Sequence, residues 1–218
     1  MSALDEPLKK ANEALGKKIT SSLLSNGYRT AVYAHDAHDA IRLALGLIPD
    51  NCSVGIPGTV TVRELGLPER LIEKKCRVYH HWDPSLTTAE ARAARLAEEN
   101  SADWFVTSSN AVTLDGKMVN IDGTGNRIAC MSWGTGRILF IIGLNKVARD
   151  LDGAIARARN SATPANSLRT GLDTPCSKTG YCVDCNSPDR ACRVISIIER
   201  VPFGREAHVI LVGEKLGY

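Results

Sequence analysis

Val54-Gly55-Ile56-Pro57-Gly58-Thr59-Val60-Thr61-Val62-Arg63-Glu64 passes from a short β-prone stretch through a glycine turn into hydroxyl residues and then a helix-forming segment. Strand, tight turn, helix is the repeating unit of an α/β sheet. Backbone N–H groups at such a helix start can face an anion, Thr59 and Thr61 add hydroxyls, and Gly55 and Gly58 suit the turn. The lysine and spacing of a Walker-type phosphate loop are missing, so turn geometry and helix capping remain the competing explanation.

The same rhythm extends in both directions. Upstream, Leu8, Ala11, Leu15, Ile19 and Leu23 recur at three- and four-residue spacings, which predicts an amphipathic helix over Pro7 to Leu24 within an N-terminal unit 1–29 that packs on a main domain 30–218. A strand around Ala31 to Ala34, a helix over Ala37 to Leu47 and a strand at Ser53 to Ile56 lead into the opening stretch. Downstream come a strand at Cys76 to His80, a helix opened by a capping pattern at Thr87 and Glu90, and a buried strand at Trp104 to Thr107. Leu114-Asp115-Gly116 between Ala111 to Thr113 and Lys117 to Ile121 predicts a hairpin. Arg137 to Ile142 is the most apolar strand, and Asp150 to Arg159 is a helix. Thr163 to Thr174 reads as a surface linker, and strands at Val194 to Glu199 and His208 to Val212 follow. The expected class is α/β, a mostly parallel sheet with flanking helices plus a C-terminal cysteine-rich segment, 175–193.

At 218 residues, 44% hydrophobic and 23% charged, the composition fits one ordinary soluble domain that can fold without a metal or disulfide staple. A net charge of +3, spread along the chain, predicts neither a nucleic-acid groove nor a membrane surface, and no apolar run is long enough to span a bilayer. Met1 leads into Leu4-Asp5-Glu6 rather than a basic and then apolar start, so no signal peptide and a cytoplasmic location are expected.

Polar residues concentrate at predicted strand ends, where open α/β sheets collect ligands. Ser108, Ser109 and Asn110 follow one buried strand. Asn120, Asp122, Gly123, Thr124, Gly125, Asn126 and Arg127 form the densest segment, suited to a carboxylate or phosphate, unless Asp122 and Arg127 merely pair. Position 128 is Ile where a dinucleotide turn needs glycine, so no NAD site is expected there. Asn145 and Lys146 follow the most apolar strand, where a lysine can neutralise a substrate carboxylate or simply be solvated. The five histidines are scattered and fit no catalytic or metal pattern.

Cys176, Cys182, Cys185 and Cys192 have C-x5-C-x2-C-x6-C spacing in a loop-rich stretch, which points to an iron-sulfur cluster or, alternatively, zinc, with disulfides or free thiols as the competing explanation. Lys178, Arg190 and Arg193 would offset thiolate charge, and Cys52, Cys76 and Cys130 read as isolated core residues.

The segments Val54 to Thr59, Glu64 to Leu67, Ser108 to Thr113, Val119 to Arg127 and Gly143 to Lys146, with the cysteine stretch, together resemble the LUD (lactate utilisation) domain family, which includes LutC-like proteins. The resemblance covers nearly the whole chain in the same order. It implies the architecture shared by glucosamine-phosphate deaminase, ribose-phosphate isomerase and CoA transferases, with a ligand cleft at strand ends. It also implies a role near the oxidation of L-lactate to pyruvate, alongside iron-sulfur oxidoreductase subunits. The expectation is a domain that binds a small anionic metabolite and takes part in iron-sulfur electron transfer, with no flavin. The alternatives are an isomerase-, deaminase- or CoA-transferase-like enzyme whose cysteines are purely structural, and an assembly or sensing module.

Overall fold

The computed structural model describes residues 5–218; residues 1–4, on which the reading of the N-terminal start partly rests, lie outside them. Helix α1 (Asp5–Ser25) precedes β1 (Thr30–Ala34), α2 (Ala37–Leu47), β2 (Ser53–Gly55), α3 (Val60–Glu64), α4 (Leu67–Glu73) and β3 (Arg77–Tyr79). Then come α5 (Ala89–Ser101), β4 (Trp104–Thr107), β5 (Ala111–Thr113), β6 (Met118–Asp122), α6 (Asn126–Ser132) and β7 (Arg137–Gly143). The chain continues through β8 (Val147–Ala148), α7 (Leu151–Arg157), α8 (Thr163–Arg169), α9 (Pro175–Thr179), β9 (Val194–Ile198) and β10 (Ala207–Val212).

Six strands pair in the order β1-β10-β7-β4-β2-β3, all parallel. The central β7 and β10 are covered on both faces, which is why they read as near-continuous apolar runs. Alternation decides which face each residue serves. Leu139 and Ile141 pack with Ala44 of α2, Val62 of α3 and Leu71 of α4. Ile138, Phe140 and Ile142 pack on the other side with Ile19 and Leu23 of α1 and Met131 of α6. Each such side chain contributes roughly 1.5–3 kcal/mol by leaving water.

A second sheet, β8-β5-β6-β9, turns one face to the α1 layer through Val112, Met118 and Ile198, and the other to Ala154 and Ala158 of the α7 segment. The predicted hairpin is its β5–β6 pair, and Gly116 takes the positive φ its turn requires.

Three sequence expectations change. Thr163 to Thr174 is largely helix rather than surface linker: α7 runs through a π turn, Ala158–Ala162, into α8, whose Thr163, Pro164 and Ser167 are buried. Pro164 stands in the first turn of α8, where its missing N–H costs little. Thr88, not Thr87, caps α5, accepting from Ala91 N at 3.1 Å. Cys52 and Cys76 are not isolated: β2 and β3 run in register, and the two sulfurs stand 3.8 Å apart just ahead of them.

Candidate functional site: a cationic cleft at the strand ends

Because the main sheet is parallel, the ends of β2, β4 and β7 open on one rim, where a cleft of about 560 Å³ lies. Its centre is Lys146, in the short 3-10 turn (Leu144–Lys146) after β7 and only 4% exposed. The ammonium donates to Thr61 Oγ1 at 2.8 Å and to Ser108 Oγ at 3.0 Å, joining three strand ends through one side chain. Burial pushes the Lys146 pKa down to about 7, assisted by the nearby Arg157 and Arg127 cations, while Glu64 acts in the opposite sense. Glu64 cannot close on the amine freely, because its Oε2 accepts from Gly217 N at 2.7 Å. The lysine therefore sits in a positive, water-poor setting that favours the entry of an anion.

Residues 216–218 complete this wall. Asn145 donates to Gly217 O at 3.3 Å and accepts from Leu216 N at 3.1 Å, and Tyr218 lines the cleft. Gly217 has φ +59, and a Cβ there would stand 2.5 Å from Thr61 Oγ1, so glycine is required for the tail to lie against Thr61 and Lys146. Arg157 of α7 braces the floor, donating to Asn145 O at 2.9 Å and to Asn110 O.

The structure sorts the sequence candidates into lining and scaffold. Gly58, Thr59, Thr61, Ser108, Ser109, Asn110, Asp122, Gly123, Thr124, Asn126, Arg127 and Lys146 line the cleft. Thr59 Oγ1 is buried there and, among the described residues, has no hydrogen-bond partner. Four candidates lie outside the lining. Asn120 is fully buried behind Asn110, accepting from its N–H at 3.4 Å. Asn145 holds the tail, Gly125 forms the turn ahead of α6, and Gly55 lets α5 approach β2.

Asp122 lines the cleft, yet its carboxylate is engaged. It accepts from Thr124 N, Gly125 N and Arg127 N at 3.0–3.2 Å and faces Arg127 Nε at 3.4 Å. Ser109 and Asn110 likewise direct their side-chain oxygens to backbone partners.

The cysteine-rich segment forms the opposite wall through Pro188, Asp189, Arg190, Ala191 and Arg193, docked by Arg193 N on Asp122 O at 3.0 Å.

A family model for the LUD domain matches residues 17–212. The chain belongs to the LUD domain family. The fold of this LUD domain is similar to that of a DUF162 family protein from Deinococcus radiodurans. The two share 15% identity with a TM-score of 0.51, over 93% of this chain and 98% of that one. No curated protein matches the chain.

In this LUD domain the four clustered cysteines do not assemble a ligand set: among the described residues no three His, Cys, Asp or Glu side chains come together to hold a metal ion. Three of the thiols have local company instead. Cys176 is buried 3.3 Å from Thr174 Oγ1, Cys182 Sγ accepts from Asp184 N at 3.4 Å, and Cys192 packs beside the cluster containing Val119 and Ala154. Of the neighbouring cations, Arg190 faces Cys192 and Arg159 faces Cys182, each while also engaging Asp184, so they meet separate thiols rather than a shared cluster. Lys178 pairs with Asp173, Arg190 with Asp184, and Arg193 donates to the carbonyls of Pro188 and Arg190. As they sit, these residues fit neither a four-thiolate zinc site nor an iron-sulfur cluster.

Sequence reasoning missed His81. It lines the cleft of this LUD domain, and its Nδ1 lies 2.8 Å from Oε1 of Glu99, a carboxylate in α5 that is 1% exposed. Spacing carries no signal for this pair, because a turn and a helix separate the two residues. Among the described residues no helix is long and apolar enough to cross a membrane.

Proposed function

We propose that this LUD domain serves organic-acid metabolism by binding a small carboxylate anion, of the lactate and pyruvate class, in the strand-end cleft. The observation that carries this reading is Lys146, a buried amine with hydroxyls on two sides, cations nearby and room in front of it. A carboxylate entering there would supply the missing countercharge and a charge-assisted hydrogen bond. Thr61 and Ser108 hold the amine in position, and Arg127 adds positive potential from the first turn of α6. Family membership, with a name that refers to lactate utilisation, supports the same class of ligand. A role in iron-sulfur electron transfer draws no support from the positions of the thiols.

Isothermal titration calorimetry with L-lactate and with pyruvate tests the reading. The expected result is saturable binding that weakens at least about tenfold in Lys146→Met, the loss of one charged hydrogen bond. Absence of saturable binding, or equal affinity in the variant, would overturn it.

A further inference from the structure

His81 stands just past the end of β3, on the same rim as the β2 turn, because the two strands are parallel and in register. Its Nδ1 is engaged by Glu99 at 2.8 Å, so the carboxylate holds the proton on that nitrogen and leaves the lone pair on Nε2. Nε2 lies beside the Gly58 turn, 3.4 Å from where a Cβ on that glycine would stand. The side chain is 31% exposed, while Glu99 behind it is sealed at 1%. Trp82 meets the imidazole edge-on at 5.9 Å between ring centres and is itself stacked on His80, which limits how the His81 ring can turn. The neighbouring Thr59 hydroxyl, 5% exposed and unpartnered among the described residues, supplies an independent sign that this corner receives a polar group.

We infer that His81 and Glu99 form an acid–base pair that moves a proton at the carbon next to the oxo group of a bound 2-oxo acid. This rests on the reading of the cleft as a carboxylate site. The step is self-contained. The C–H bond breaks, its proton passes to His81 Nε2, its electron pair becomes the new C=C bond, and the π pair of the C=O bond moves onto the oxo oxygen, giving an enolate and an imidazolium. Glu99 faces the imidazolium and steadies its charge, and the Thr59 hydroxyl is available to donate to the enolate oxygen. Return of the proton restores substrate and enzyme, with no change in oxidation state and no second reactant. His81 touches the reacting atom; Glu99 is a positioning residue acting through it.

Proton NMR of pyruvate in D2O tests this on the full chain, by following loss of the methyl signal as deuterium replaces hydrogen. The wild-type protein should accelerate exchange above buffer, and His81→Gln should lower the protein-catalysed rate by about 100-fold or more. Pyruvate affinity in that variant should stay within about twofold, because the carboxylate is held elsewhere. Glu99→Gln should slow exchange less and shift its pH profile, and 15N NMR should show the Nδ1–H tautomer of His81 giving way to a mixture. Binding without exchange, or exchange surviving at the wild-type rate in His81→Gln, overturns the acid–base pair and leaves the carboxylate site standing. No pyruvate binding at all overturns both.

Discussion

A lysine that loses its proton near neutrality makes anion binding a pH-dependent event. With the cleft empty, burial holds the Lys146 pKa at about 7; a bound carboxylate favours the ammonium and raises that value. Well below pH 7 the amine is charged with or without ligand, and no proton moves. Above pH 7, up to the raised value, each binding event takes up a proton, so affinity falls by up to about tenfold per pH unit. Calorimetry in buffers of different ionisation enthalpy should detect that uptake at pH 8 but not at pH 5.5, and Lys146→Met should abolish it. The sequence marked Lys146 as a strand-end lysine, but its burial against Thr61 and Ser108 depends on three strands meeting, which no local pattern encodes. Asp122 illustrates the converse. Its neighbours Thr124, Gly125 and Arg127 are close enough in the chain to occupy the carboxylate themselves, so a dense polar segment became a self-satisfied turn.

Among the elements, α5 and β2 meet more closely than side chains would permit. A Cβ on Gly55 would stand 2.1 Å from the backbone oxygen of Glu99, an atom that cannot rotate aside. Gly55→Ala should therefore push the end of α5 away, cost about 1–3 kcal/mol in chemical denaturation, and release His81 from Glu99 in imidazole NMR. Retention of both stability and the Nδ1–H tautomer would show that α5 yields without loss. Strand and helix identities along the main sheet were readable because fully buried strands and amphipathic helices carry their own periodicity. Helix α8 was not, since a proline read as a break when it in fact starts a new turn after the π segment.

For the molecule as a whole, the cleft lowers stability. The Lys146 pKa falls from 10.5 in the unfolded chain to about 7 when folded, so the unfolded state binds more protons between those values and stability rises with pH across that window. Below pH 7 the cost of burying the charged amine is fully present. Lys146→Met should accordingly raise stability by about 1–4 kcal/mol at pH 6, with a smaller gain at pH 9, measured as melting temperature in the two buffers. A variant no more stable at pH 6 than at pH 9, relative to wild type, would contradict the burial argument. The parallel sheet was legible as an architecture, whereas the second sheet was not, because β8 and β9 reach β5 and β6 only after long excursions. Leu216 and Gly217 are tied to Asn145 and Glu64, and Tyr218 forms part of the cleft wall. Residues 216–218 are thus cleft wall as much as the strand-end turns are, and a side chain at position 217 would press on the Lys146 ammonium, 3.2 Å from where its Cβ would stand.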